Sequence, residues 1–211
     1  MIRMAASHPH ELVKRGEIKT VNMLKNLNYM KRGYLSAFIR IPRKIFPKIK
    51  DVQQELKRAD PRQIYHPPSF WHITVKLLNL ESRLRASIPR VKSTIVEVLK
   101  GYAPFRVELR GLDMFPEAVY VHVSDRGKVL KRIHNDLKHR LHDLVEHYWF
   151  EGPGYTPHLT IASFRTNDIS KLVDKMVELK SVKIGICRER NRVNDGEADK
   201  RKRRCLSNEC I

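Results

Sequence analysis

Two stretches of this chain, Phe70-Trp71-His72-Ile73-Thr74-Val75 and Thr156-Pro157-His158-Leu159-Thr160-Ile161, carry one pattern: histidine, apolar residue, threonine, apolar residue. Such alternation marks a half-buried β-strand, because successive side chains leave a strand on opposite faces. His72 and Thr74 therefore share one face, while Trp71, Ile73 and Val75 fill the other. His158 and Thr160 are set apart from Leu159 and Ile161 in the same way. A fold that honours both stretches must bury one face of each strand and leave an imidazole and a hydroxyl on the other.

The sequence around the two strands is organised alike. Tyr34 to Ile41 alternates, with Leu35, Ala37, Ile39 and Ile41 on one face and Tyr34, Ser36, Phe38 and Arg40 on the other. Pro42 ends that strand. Ile45, Ile49, Val52 and Leu56 then recur at helical spacing until Asp60-Pro61 stops them. After the first motif come a helix over about Pro89–Lys100 and a strand from Phe105 to Arg110. A turn over Gly111–Pro116 leads to a strand carrying Val119, Val121 and Val123. Leu130, Ile133, Leu137, Leu141 and Leu144 form an apolar helix stripe. A helix over about 169–179 and a strand over about 182–187 follow the second motif.

The order reads β-α-β-α-β twice, with each motif strand between the two helices of its half. The predicted fold class is α+β: duplicated β-α-β-α-β units forming two antiparallel-sheet lobes, about 34–110 and 111–187, around a central basic cleft. Strands can exchange between such lobes. Residues 1–33 read as an N-terminal extension and 188–211 as a basic, disordered tail.

Charge bears on the partner. The chain carries 42 Lys and Arg against 23 Asp and Glu, a formal net charge of +19, and the stretch 34–180 is itself strongly basic. That field favours a polyanion, nucleic acid before membrane. Cys187, Cys205 and Cys210 are an odd number without zinc-ligand spacing, which argues for a reducing compartment and against a disulfide framework. No segment approaches the roughly twenty apolar residues of a membrane span. The expected location is the cytoplasm, or the nucleus if Lys200–Arg204 acts as an address; no membrane partner is expected, and a monomer is. Gly152-Pro153-Gly154 reads as a turn and not as a phosphate loop.

The remaining histidines read as background. His122 lies on a real strand but falls one element later than the motifs, with no counterpart in the first half. His134, His139, His142 and His147 share one helix and read as its solvated face. No metal-ligand set accompanies them, so no metal or cofactor is expected.

The paired motif resembles the two-histidine (2H) phosphoesterase superfamily, most closely its RNA 2′,3′-cyclic phosphodiesterase branch, also called 2′-5′ RNA ligases. His72 to Leu78 is similar to the family's first motif strand, Gly111 to Pro116 to its central connection, and Tyr155 to Ala162 to its second motif; the likeness runs from Tyr34 to Cys187. One departure concerns the arginine that often follows the alanine of the second motif. Ser163 stands there, and the nearest arginine is Arg165.

Opening a 2′,3′-cyclic phosphate needs one group to take a proton from water and another to protonate the departing ribose oxygen, and histidine suits both tasks near neutral pH. Thr74 and Thr160 would hold the nonbridging oxygens. The residues alone do not settle which imidazole does which. The resemblance implies that His72 is the proton donor and His158 the proton acceptor, acting without metal on RNA or a nucleotide with a 2′,3′-cyclic phosphate and leaving a 2′-phosphate end. Reversed, the same chemistry gives a 2′-5′ RNA link. Candidate substrate contacts on neighbouring open faces are Phe38 and Tyr120 for base stacking, and Arg40, Lys76 and Arg165 for phosphates. Two other readings stay open: an RNA-binding protein with this fold and no turnover, and a cyclic phosphodiesterase or 2′-5′ oligoadenylate esterase acting on small nucleotides.

Overall fold

The structure, a computed structural model, describes residues 35–78, 88–145 and 154–189. The expected N-terminal extension, the tail with Lys200–Arg204, His147, Cys205 and Cys210 lie outside the described residues.

Strand β1 (Leu35–Arg40) leads through a short 3-10 turn into helix α1 (Phe46–Ala59). Strands β2 (Ile64–Tyr65) and β3 (His72–Leu78) follow, then helix α2 (Ile88–Lys100) and strand β4 (Phe105–Phe115). The second half runs β5 (Ala118–Asp125), α3 (Val129–Arg140), β6 (His158–Ser163), α4 (Ser170–Glu178) and β7 (Lys183–Glu189). This is the α+β arrangement that the alternation predicts. The sheets, however, are unequal. β1 and β3 form a two-stranded sheet, while the other is five-stranded with order β2-β6-β5-β4-β7, and every pair is antiparallel.

Each helix stripe finds its sheet. Leu130, Ile133, Leu137 and Leu141 are fully buried, each contributing on the order of 1.5–3 kcal/mol through burial. The helices interlock the halves. α1, from the first half, packs beneath the second motif strand β6, whereas α3, from the second half, packs beneath the first motif strand β3. One core therefore backs both motifs, with Ile73 and Val75 on one side and Leu159 and Ile161 on the other.

One expected turn is not a turn. The chain does not reverse over Gly111–Pro116; β4 runs on to Phe115 and the reversal comes at Pro116-Glu117. Gly111 has a φ of 72°, and a Cβ there would lie 2.4 Å from the Lys180 carbonyl oxygen. The glycine thus permits a kink within a continuous strand, pressed against the chain that enters β7, rather than a chain reversal.

Both motif strands carry a bulge at the same place. In β3, Phe38 lies opposite Thr74 but Ala37 lies opposite Lys76, leaving Val75 as the extra residue. In β6, Tyr120 lies opposite Thr160 but Val119 lies opposite Ala162, leaving Ile161 as the extra one. The parity of each strand flips just beyond its threonine. Val75 and Lys76 are consequently both buried, as are Ile161 and Ala162.

Candidate active site

A bulge leaves backbone groups without a ladder partner, and here a side chain from the helix beneath supplies one. His134 on α3 donates from Nδ1 to the Val75 carbonyl at 2.7 Å. Gln53 on α1 donates from Nε2 to the Ile161 carbonyl at 2.7 Å and to the His66 carbonyl at 2.8 Å. The expectation that His134 belongs to a solvated helix face is therefore overturned. It is fully buried and stacked on Tyr155 with ring centroids 4.0 Å apart. His139 and His142 are exposed, as expected. Tyr155, just upstream of the second motif, donates its hydroxyl to the Thr74 carbonyl at 2.9 Å, tying the second motif to the first.

β2 pairs with β6 only at Ala162 and Ser163, and β6 packs against β3 without pairing to it. The two imidazoles are near enough for charge on His72 to be felt at His158. Backbone from two residues upstream acts on each ring. His158 donates from Nδ1 to the Thr156 carbonyl at 2.8 Å, and the Phe70 backbone beside the His72 ring favours its protonated form. A carbonyl only accepts, so Nδ1 of His158 keeps its hydrogen and Nε2 is left for proton transfer. Burial pushes both imidazoles below the ordinary histidine value, and His72 pushes His158 further. Repulsion of that kind disfavours the doubly protonated pair. Thr74 and Thr160 sit on the same open faces, and neither hydroxyl is hydrogen-bonded to another described residue.

The expected substrate contacts divide. Phe38 is 44% exposed, with its ring 5.0 Å from that of His72. Arg40 is exposed and lies opposite His72 in the ladder. Tyr120 offers no free face to a base. It is 4% exposed, stacked on Phe115 at 4.3 Å and set edge-on to His158 at 5.5 Å. Burial, with Asp113 beside it, holds its phenol above the ordinary range. Lys76 is likewise no phosphate ligand: the bulge turns it inward, it is 0% exposed, and Nζ donates to the Leu77 carbonyl at 2.8 Å. Arg165 lies past the end of β6 in an exposed loop whose backbone is tied to Gln63.

Two further residues join this wall. Phe70 is 45% exposed and lies 5.7 Å from His72, ring to ring. Its other neighbour is His66, stacked at 4.1 Å, whose Nε2 is 2.8 Å from the Ser163 hydroxyl. Phe70 is separated from His72 by Trp71 alone but stands in the 3-10 turn before β3, where strand parity no longer assigns a face. His122 also gains a counterpart: it lies opposite His158 as Arg40 lies opposite His72. Among the described residues, no group of three or more His, Cys, Asp and Glu is placed to hold a metal ion, and no helix is long and apolar enough to cross a membrane.

Residues 41–187 match the 2′-5′ RNA ligase superfamily. The RNA 2′,3′-cyclic phosphodiesterase of Methanothermobacter thermautotrophicus is 28% identical over 144 residues, covering 66% of this chain and 76% of that protein. The crystal structure of TT0787 of Thermus thermophilus superimposes with a TM-score of 0.52 at 16% identity, over 74% of this chain and 79% of that one, which is a likeness of fold.

Proposed function

The chain belongs to the 2′-5′ RNA ligase superfamily, the two-histidine phosphoesterases, and we propose that it is a metal-independent RNA 2′,3′-cyclic phosphodiesterase. The observation that carries the reading is the pair of imidazoles on neighbouring strands, close enough to feel each other's charge and each beside a threonine hydroxyl without a partner among the described residues. His158 takes a proton from water at Nε2 as the water attacks phosphorus opposite the 3′ oxygen. The P–O3′ bond breaks and His72 gives its proton to that oxygen, leaving a 2′-phosphate. Thr74 and Thr160 donate to the nonbridging oxygens as charge gathers there. Each proton transfer is worth about 10²–10⁴-fold. The assignment of His72 as donor and His158 as acceptor rests on the family resemblance, and so does the reverse reaction, 2′-5′ joining of a 5′-hydroxyl to the cyclic end. Phe38 and Phe70 stack the terminal base, and Arg40 meets a phosphate.

The name of the Methanothermobacter relative supports this substrate class. The test is conversion of a cyclic-phosphate-terminated RNA oligonucleotide by the purified chain in EDTA. A 2′-monophosphate end is expected; no conversion refutes the proposal and leaves RNA binding without turnover, and conversion unaffected by His72→Ala and His158→Ala refutes the two-imidazole site.

A further inference from the structure

The open face of the five-stranded sheet continues well past His158. Across it, His158 is followed by His122, and then along β5 by Ser124, two residues or about 7 Å farther. Ser124 pairs with Glu108, and Glu108 with Ile186. At this end of the sheet lies a groove of about 580 Å³ lined by Phe105, Arg106, Glu108, Ser124, Arg126 and Ile186, together with Asp125. Ile186 is 54% exposed, the most exposed large apolar side chain described.

The cations around this groove are uncommitted. Arg106, Arg126, Arg110 and Lys183 are exposed, and none forms a hydrogen bond or ion pair with a described side chain. Arg110 and Lys183 face each other on β4 and β7, in the row of the sheet that holds His122 and next to the row of the groove. Of the two carboxylates, Asp125 accepts from the Leu130 backbone N–H at 2.9 Å, so it is engaged in starting α3. Asp125 keeps its charge there, so two carboxylates, Glu108 and Asp125, stand against four cations. Unpaired cations beside exposed apolar surface, on a sheet face that no described helix covers, suit a single strand of nucleic acid: phosphates meet the charges and bases lie on the apolar side chains.

We propose that this groove binds the nucleotides on the 5′ side of the cyclic phosphate, so that the preferred substrate is an oligonucleotide and not a mononucleotide. The inference rests on the phosphodiesterase reading for its orientation, since a 2′,3′-cyclic end has neighbours only on its 5′ side. His122 and Arg110 then line the path from the reacting phosphate to the groove.

Anisotropy of 5′-fluorescein RNA of one to six nucleotides ending in a 2′-phosphate, with the full chain, tests this. Affinity should rise with length. The Arg106→Ala/Arg126→Ala double variant should bind the hexamer about 10-fold more weakly, with a salt slope lower by about 1–2, and should bind the mononucleotide as wild type does. Arg126→Glu alone should act in the same direction. Equal affinity for all lengths, an unchanged hexamer, or equal losses for hexamer and mononucleotide would each overturn the groove. Turnover is a separate arm. If length-dependent binding is lost in the groove variants while wild type converts no cyclic phosphate, the groove stands and the catalytic reading fails.

Discussion

His72 stands beside two exposed rings, Phe38 and Phe70, whereas His158 stands against a packed pair, Phe115 and buried Tyr120. The backbone around the two is nearly the same. Both have a bulge one residue beyond the threonine, a helix side chain on the bulge carbonyl, and backbone from two residues upstream acting on the ring. Position is thus set by a repeated backbone device, and solvation by side chains that differ. The exposed wall is suited to receive a base; the packed wall holds an imidazole away from water. A duplicated frame with unlike linings is what an asymmetric proton transfer needs.

The largest test of that comparison is the threonine pair. Thr74→Val and Thr160→Val should each lower kcat by about 10²-fold, the usual loss for one donor to a developing oxyanion. A loss confined to one of them would break the equivalence of the walls.

The helix props come next. His134→Leu and Gln53→Leu each leave a bulge carbonyl unpaired, which costs about 1–3 kcal/mol by denaturant unfolding. Both should lower kcat more than they raise KM, because these are positioning residues. Stability loss with kcat intact would reduce them to core polar groups.

Smaller effects should separate the linings. Phe38→Ala should raise KM several-fold with little change in kcat, since an exposed ring contributes about 1–3 kcal/mol per stacked base. Tyr120→Phe removes the hydroxyl next to Asp113, and should alter kcat and its pH dependence while leaving KM alone. Exchanged outcomes would mean that the base lies on the other wall.

Much of this was legible in the sequence because alternation and helical spacing report burial, and burial here is regular up to Thr74 and Thr160. The bulges were not, since a bulge is a property of two paired strands and nothing within β3 announces that Ala37 will face Lys76. The misplacement of Lys76 follows from that alone. His134 was hidden for a related reason: it lies one residue beyond Ile133 on the stripe of α3, and only the orphaned Val75 carbonyl makes a polar group welcome there. At Gly111 the sequence reads as punctuation, but whether a positive-φ glycine turns the chain or kinks a strand depends on the Lys180 carbonyl, nearly seventy residues away. The paired motif itself stood out because its chemistry and its parity coincide.

The pH profile of kcat/KM for wild type, His72→Ala and His158→Ala bears most directly on two imidazoles working as acid and base. The donor must be protonated, so activity falls as pH rises through its pKa; the acceptor must be neutral, so activity falls as pH drops through its own. Burial lowers both, which places the wild-type optimum below about 6.5. His158→Ala should retain a small residual rate without the acidic limb, and His72→Ala one without the alkaline limb, each about 10²–10⁴-fold below wild type. A full bell in either variant, or an optimum well above 7 in wild type, would contradict the account.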